Sequence, residues 1–414
     1  MPQWSVIKTY LLGLASTTSP SSQIISMIWQ DYLLAKQQKR RDLNLWRERH
    51  EVRSAQSVQI NRNGKIFLNF SSNDYLGLAA DPRLAEASNA GAKEWGTGSG
   101  ASHLVSGHQT PHHLLEQELA EFVGAEDALL FSTGYMANLA LPSAFLKRGD
   151  LILQDKLNHA SLVDSGMLCQ AAFKRYAHGN LSAARKILSS STAKMKMLSV
   201  DSVFSMDGDM ADLPKLTKLT KQHDCLLVVD EAHGFGVLGE TGAGALEHFG
   251  LRPTDNILMM GTLGKALGSF GAFVAGDKVY IDELKQAART YIYTTALPAT
   301  AVEATREALK IVKTERWRRR HLLELVHQFR EAALEAGIPI MESKTPIQPI
   351  VLGKESAALD ISEKLETQNI WAPAIRPPTV PKSTSRLRVC FSTSHSFRNI
   401  DQLVKALTLF CIEK

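Results

Sequence analysis

Five short stretches of this 414-residue chain carry side chains able to do chemistry at the ends of apolar runs. Leu226–His233 reads LLVVDEAH: an apolar run ends on Asp230, and a turn brings His233 close behind it. Met260–Gly268, MGTLGKALG, sets Lys265 among Gly and Ala after another such run. An amine hemmed by small residues can be approached closely by a bulky planar ligand. Phe131–Asn138, FSTGYMAN, places Ser-Thr-Gly where a helix should begin, and the free N–H groups and positive dipole end of a helix start suit an anion. Leu157–Ser161, LNHAS, carries His159, and Asp201–Gly208, DSVFSMDG, follows a further apolar run. Each stretch alone has a plainer explanation, such as Asp230 capping the next segment, Ser-Thr-Gly as a plain N-cap, or Lys265 as a surface lysine. Together they offer a lysine, a buried carboxylate, histidines, hydroxyls and an anion cradle. That set is what pyridoxal 5'-phosphate (PLP) requires: an amine for its aldehyde, a carboxylate to keep its pyridine nitrogen protonated, and a helix start for its phosphate.

These groups must be brought together by the elements that carry them. Ala128–Phe131, Leu151–Leu153, Met197–Val200, Leu226–Asp230, Ile257–Met260 and Ala272–Ala275 are continuous apolar runs, as expected of strands covered on both faces. Helix-length connections between them suit parallel crossovers. The fold class expected is α/β: a large doubly wound, mainly parallel-sheet domain plus a smaller α+β C-terminal domain. In an open sheet of that kind, ligands sit at the carboxyl ends of the strands.

The organisation expected is a poorly ordered Ser/Thr-rich leader over 1–26, an N-terminal helix and hairpin over 27–70, a large domain over 71–311 and a small domain over 312–414. Met27 could serve as an alternative start. Asn63-Gly64, within VQINRNGKIFLNF, predicts the hairpin turn. Ala299–Ala336 reads as one long charged helix, with the basic RWRRRH run at Arg316–His321 on a solvated face or, less simply, as a patch for an acidic partner.

Several function classes are excluded. The composition, 44% hydrophobic and 21% charged with a net charge of +5, is that of an ordinary globular chain and gives no argument for nucleic acid. No apolar run reaches the roughly 18 residues of a membrane span, and the patch Tyr10–Ala15 is too short for a secretory signal. The cysteines, at 169, 225, 390 and 411, form no C-x-x-C, so a zinc ribbon or dithiol motif is absent and a reducing cytoplasm is expected. GTGSG at 96–100 follows a helical stretch rather than a strand, which argues against a dinucleotide loop. GTLGKA at 261–266 lacks the spacing and the Ser/Thr of a nucleotide phosphate loop. His112-His113 has no partner motif and is read as core or surface rather than metal-binding; no metal is expected.

FSSNDYLGL, GTGSGASHLVSG, FSTGYMAN, NHAS, VFSMDGD, VVDEAHGFGVLG, GTLGKALG and IRPPTVP together resemble the α-oxoamine synthases among fold-type I PLP-dependent transferases, over about residues 28–412. The resemblance implies a cytoplasmic homodimer with shared active sites. Ile375–Pro381 (IRPPTVP) is most similar to the biotin-pathway branch, which condenses L-alanine with a pimeloyl thioester carried by coenzyme A or an acyl carrier protein. Use of glycine or serine with another acyl thioester stays open, as does an aminotransferase or lyase on the same fold. By motif, the resemblance implies that Lys265 bonds the cofactor and transfers protons, Asp230 pairs with the pyridinium, and His159 stacks on the ring. His233 and Ser205 contact the phenolic oxygen, while Gly134, Tyr135 and Thr262 hold the cofactor and its phosphate. Thr294 or Thr295 reaches the partner subunit's phosphate. Arg376 grips the amino-acid carboxylate near Asn73, and Arg47 and Thr379 contact the acyl substrate. Asp201 stands where relatives often carry Glu.

Overall fold

The structure is a computed structural model that describes residues 20–412, with side chains from residue 28 onward. The described chain falls into two compact units, one ending at Arg49 and one beginning at His50.

The first unit is built on the helix Pro20–Asp42. Proline is tolerated in a first helical turn, because its missing N–H has no partner to lose there. Lys39, Arg40 and Arg41 fill the last turn, where the helix dipole favours cations. The Arg41 guanidinium lies 3.7 Å from the ring centre of Trp46. Of the leader expected over 1–26, residues 1–19 lie outside the described residues, and the rest opens this helix.

The second unit contains three sheets. Strands β1 (Gln59–Arg62) and β2 (Lys65–Asn69) form the expected hairpin, with Asn63 and Gly64 both at positive φ, +53° and +83°. That is the conformation an Asn-Gly turn supplies. Seven strands make the central sheet: β3 (Asp127–Phe131), β4 (Leu151–Asp155), β5 (Ala172–Tyr176), β6 (Lys196–Asp201), β7 (Cys225–Asp230), β8 (Ile257–Thr262) and β9 (Ala272–Gly276). Their order is β3-β9-β8-β7-β6-β4-β5. All pairs are parallel except those of β9, which runs against both β3 and β8. The remaining strands are β10 (Ile347–Gly353), β11 (Ile370–Trp371), β12 (Ala374–Ile375) and β13 (Ser385–Cys390). β10, β13 and β12 form an antiparallel sheet, while β11 joins β2 in parallel and so extends the N-terminal hairpin.

Alternate residues of the central strands feed two separate cores. Leu130, Leu153, Leu198, Leu227, Met259 and Phe273 lie in one, and Leu129, Ile152, Met197, Val228, Leu258 and Val274 in the other. A sheet buried on both faces needs strands that are apolar throughout, which is why the runs were continuous rather than alternating. β5 was not anticipated. Its AFKRY sequence is largely exposed because it is the edge strand, where lysine and arginine discourage further pairing.

The charged stretch expected as one helix is two, Ala299–Thr314 and Trp317–Glu335. Glu315 leaves helical geometry at the break (φ −99°, ψ 63°), and its carboxylate bonds Arg318 at 2.8 Å and Arg83. The solvated-face reading of the basic run is corrected as well. Arg319 is buried and donates to the carbonyls of Val312 (2.8 Å) and Glu240 (3.0 Å), and Arg318 donates to the Leu76 carbonyl (2.7 Å). Arg316 and Arg320 stay exposed.

Candidate active site

Since β9 runs against both its neighbours, β3 points the same way as β4, β6, β7 and β8. The carboxyl ends of these strands therefore share one edge of the sheet. From that edge emerge Gly134 after β3, His159 after β4, Ser205 after β6, His233 after β7 and Lys265 after β8. Every stretch singled out above for its chemistry leaves the sheet on this side.

The amine sits in an enclosed network. Lys265 Nζ lies 3.0 Å from His233 Nε2, and His233 Nδ1 lies 2.7 Å from the Tyr75 hydroxyl. Tyr75 in turn donates to Asn73 Oδ1 at 3.2 Å. Arg388 donates to Asn73 Oδ1 (3.0 Å), to the Tyr75 oxygen (3.4 Å) and to the Ser205 carbonyl. Burial, aided by the Arg388 charge, lowers Lys265 to about 8, against an opposing pull from Asp230. Burial also drives His233 well below the ordinary histidine range, with the Lys265 and Arg388 charges adding to it. His233 is thus a neutral partner, and Lys265 is an amine that gives up its proton more readily than a surface lysine does.

Asp230 closes β7 beside Asp201 of β6, its direct neighbour in the sheet register. Its two oxygens accept from the Ala232 N–H (2.8 Å) and from Asn138 Nδ2 (2.8 Å). Burial and the adjacent Asp230 charge raise Asp201 well above the usual carboxylate range, and its Oδ2 accepts the His159 backbone N–H at 2.7 Å. Next in sequence, Glu231 is fully buried and turned the other way. It accepts from the N–H groups of Ala245 and Leu246 at 3.0 and 2.8 Å and from Ser202 at 2.8 Å. Gly234 is required by this arrangement, because a Cβ there would stand 2.0 Å from Glu231 Oε2.

On the anion side, Thr133 caps the helix Gly134–Phe145 by accepting the Met136 N–H at 3.2 Å. Gly134 and Tyr135 open that helix, and Tyr135 donates to Asp164. Ser132 Oγ donates to the Thr295 carbonyl at 3.4 Å, and Thr295 forms a bridge with Ser102, so the Thr294-Thr295 segment lies beside this helix start. Thr262, the last residue of β8, donates to the Gly271 carbonyl at 3.2 Å. An enclosed amine, a carboxylate on the next strand and a helix start form a donor set that fits PLP: covalent anchor, charge partner and phosphate seat.

Arg376 and Thr379 lie on the loop after β12, where the Pro377–Pro378 bond is cis and the Thr379 N–H bonds the Arg376 carbonyl at 3.1 Å. Arg47 belongs to the N-terminal unit. His112 is buried, and its Nε2 bonds the Leu297 carbonyl at 2.7 Å.

Sequence reasoning gave no role to Tyr75, Asn138, Ser161 or Arg388. The signal for Arg388 was present. Arg386 and Arg388 alternate on a strand whose six residues are all buried, and a buried guanidinium must have been given partners. Arg386 found its own in Asp207, at 2.8 Å.

Among the described residues, no helix is long and apolar enough to cross a membrane. Residues 65–407 match the family described as aminotransferase class I and II. An 8-amino-7-oxononanoate synthase of Cellvibrio japonicus is 49% identical, the match covering 91% of this chain and 94% of the relative. The enzyme of the same name from Thioalkalivibrio sulfidiphilus is 50% identical over 89% and 95%. Among solved structures, serine palmitoyltransferase from S. paucimobilis with PLP and myriocin superposes with a TM-score of 0.86 at 26% identity, over 91% of this chain and 96% of that one. An 8-amino-7-oxononanoate synthase from Francisella tularensis gives 0.73 at 32%, over 83% and 97%. With this fold and these relatives, the chain belongs to the PLP-dependent aminotransferase class I and II family, in its α-oxoamine synthase branch.

Proposed function

We propose that this chain catalyses the 8-amino-7-oxononanoate synthase reaction of biotin biosynthesis, the decarboxylative condensation of L-alanine with a pimeloyl thioester. The observation that carries the reading is the depressed, enclosed Lys265 amine beside the strand that ends in Asp230, in a chain about half identical to enzymes of that name. When bound, PLP supplies a protonated ring that draws electrons away from the bond to be broken. The protein's own groups do the rest.

Lys265 tethers the cofactor through its amine and, once released, takes the Cα proton of alanine and later returns one. Its lowered basicity keeps part of it in the free-base form near neutral pH. Asp230 stabilises positive charge at the ring nitrogen, and His159 stacks on the ring. His233 and Ser205 serve the phenolic oxygen. Gly134, Tyr135 and Thr262 seat the phosphate, with Thr294 or Thr295 contributing across a homodimer interface. Arg388 is the guanidinium already joined to the Lys265 network, so we assign it to the alanine carboxylate beside Asn73, together with Arg376 from the β12 loop. Arg47 and Thr379 meet the pimeloyl chain, whose distal oxygens suit a fork of donors. The reading divides the chain at about residue 311 into a cofactor-binding part and a smaller C-terminal part. It also places the enzyme in the cytoplasm, with coenzyme A or an acyl carrier protein delivering the acyl group.

The test is thiol release across alanine, glycine and serine with several acyl thioesters, with capture of CO₂ and mass analysis of the product. Alanine with a pimeloyl thioester should be the fastest pair and should yield the aminoketone with one CO₂ per thiol. A clear preference for glycine or serine would assign the chain to a sister activity.

A further inference from the structure

We propose that Asn138 and Ser161 are positioning residues that fix His159 as the neutral imidazole protonated on Nε2 and tie it to Asp230. The inference deepens the reading above and rests on it for its meaning, though not for its geometry.

Asn138 is buried in the helix Gly134–Phe145, and its Nδ2 lies 2.8 Å from Asp230 Oδ2 and 2.8 Å from Ser161 Oγ. A carboxylate oxygen only accepts, so the amide must turn its nitrogen towards Asp230. Both amide hydrogens are then spent, one on Asp230 and one on Ser161. The Ser161 oxygen has accepted, which leaves its own proton for His159 Nδ1, at 2.7 Å. The Ser161 backbone N–H approaches the same nitrogen at 3.3 Å. Two donors converge on Nδ1, so that atom holds a lone pair and the ring proton is on Nε2. With the proton on Nδ1 instead, Ser161 Oγ would accept from both Asn138 and His159, and the Ser161 hydroxyl proton and backbone N–H would lose the acceptor that Nδ1 provides.

Two further observations agree. The protein packed around the imidazole, with the Lys265 charge, holds His159 below the ordinary histidine range against the pull of Asp230, so the ring carries one proton rather than two. Asn138 Oδ1 is buried with no hydrogen-bond partner. A leucine would avoid that unmet acceptor, so the position is explained by the pair of donors that only the amide supplies. The His159 backbone is held separately by Asp201. With the ring's orientation and tautomer both set, Nε2–H is the one proton His159 can offer, and it suits a carboxylate or carbonyl oxygen of a bound substrate.

The test uses the holoenzyme with ¹⁵N-labelled histidine. Long-range ¹H–¹⁵N correlation reads the tautomer, and loss of the signal in His159→Gln assigns it. The wild type should show the Nε2–H form. Ser161→Ala should admit the Nδ1–H form and lower kcat with alanine about ten- to a hundred-fold, the range seen when a bond orienting a functional imidazole is lost. Cofactor content and absorbance should stay, and Ser161→Thr should restore both tautomer and rate. An Nδ1–H signal in the wild type overturns the proposal without recourse to any variant, as does a Ser161→Ala enzyme with unchanged tautomer and kcat. A wild type that releases no thiol from any thioester would instead strike the functional reading, while the tautomer measurement still decides the relay.

Discussion

Replacing Lys265 with alanine tests the centre of the mechanism, and the structure sets the scale. With the amine at about 8, roughly a quarter of it is free base at pH 7.5, against about one in a thousand for an unperturbed lysine at 10.5. Enclosure therefore supplies roughly 200 times more competent base than solvent exposure would. Deletion removes that base and, with it, the anchor for the cofactor. Turnover should fall by at least about 10⁴-fold, the upper end of what a positioned base contributes. The assay pairs thiol release from a pimeloyl thioester with exchange of the alanine Cα proton in D₂O. Small primary amines added to Lys265→Ala should recover part of the exchange. In the wild type, exchange should rise with pH and level off just above 8, since the neutral amine is the active form. Alanine-dependent thiol release that survives the deletion would refute this reasoning, as would a wild-type profile still climbing beyond pH 10.

Arg388→Met should raise the KM for alanine by about 30-fold or more, the equivalent of about 2 kcal/mol for a lost buried charge partner; steady-state kinetics beside Arg376→Met will show which arginine carries the carboxylate. His178 bonds Asp155 at 3.0 Å and Asp209 at 2.9 Å, and these bonds raise it to about 10. Its contribution to stability is fully present below about 6.5, its unfolded value, and is lost as pH rises through about 10. The melting-temperature gap between wild type and His178→Gln should accordingly be wide at pH 6 and nearly closed at pH 10. Arg319→Met, which strands the Val312 and Glu240 carbonyls, should cost about 2–4 kcal/mol in urea unfolding, whereas Arg316→Ala, which breaks only an exposed pair with Glu240, should cost under about 0.5 kcal/mol.

The contrast between those two arginines also marks where the sequence could be read and where it could not. The central strands were legible because burial on both faces leaves an unbroken apolar run, and Lys265 and Asp230 because each ends such a run. Periodicity carries no record of which residue a side chain meets. Arg319 was therefore indistinguishable from Arg316 in a basic run, although one is enclosed and the other faces water. The break at Glu315 escaped notice for the same reason: it carries no local Pro or Gly, and its carboxylate is held by Arg83, far away in sequence, as well as by the neighbouring Arg318. β5 was missed because an edge strand obeys the rule for avoiding partners, not the rule for filling a core. Asn138 and Ser161 sat inside recognised motifs, but a hydrogen-bond relay is a property of three dimensions.

The pairing of Ile370 with Leu68 bears on how the molecule is made. As the chain leaves the ribosome, the free edge of β2 must wait for a strand encoded roughly three hundred residues later, about 15–60 seconds at 5–20 residues per second. For that interval the nascent polypeptide presents an unsatisfied β edge, a natural target for holding chaperones and for mispairing between neighbouring chains on a polysome. A nonsense mutation between codons 70 and 369 would make the exposure permanent.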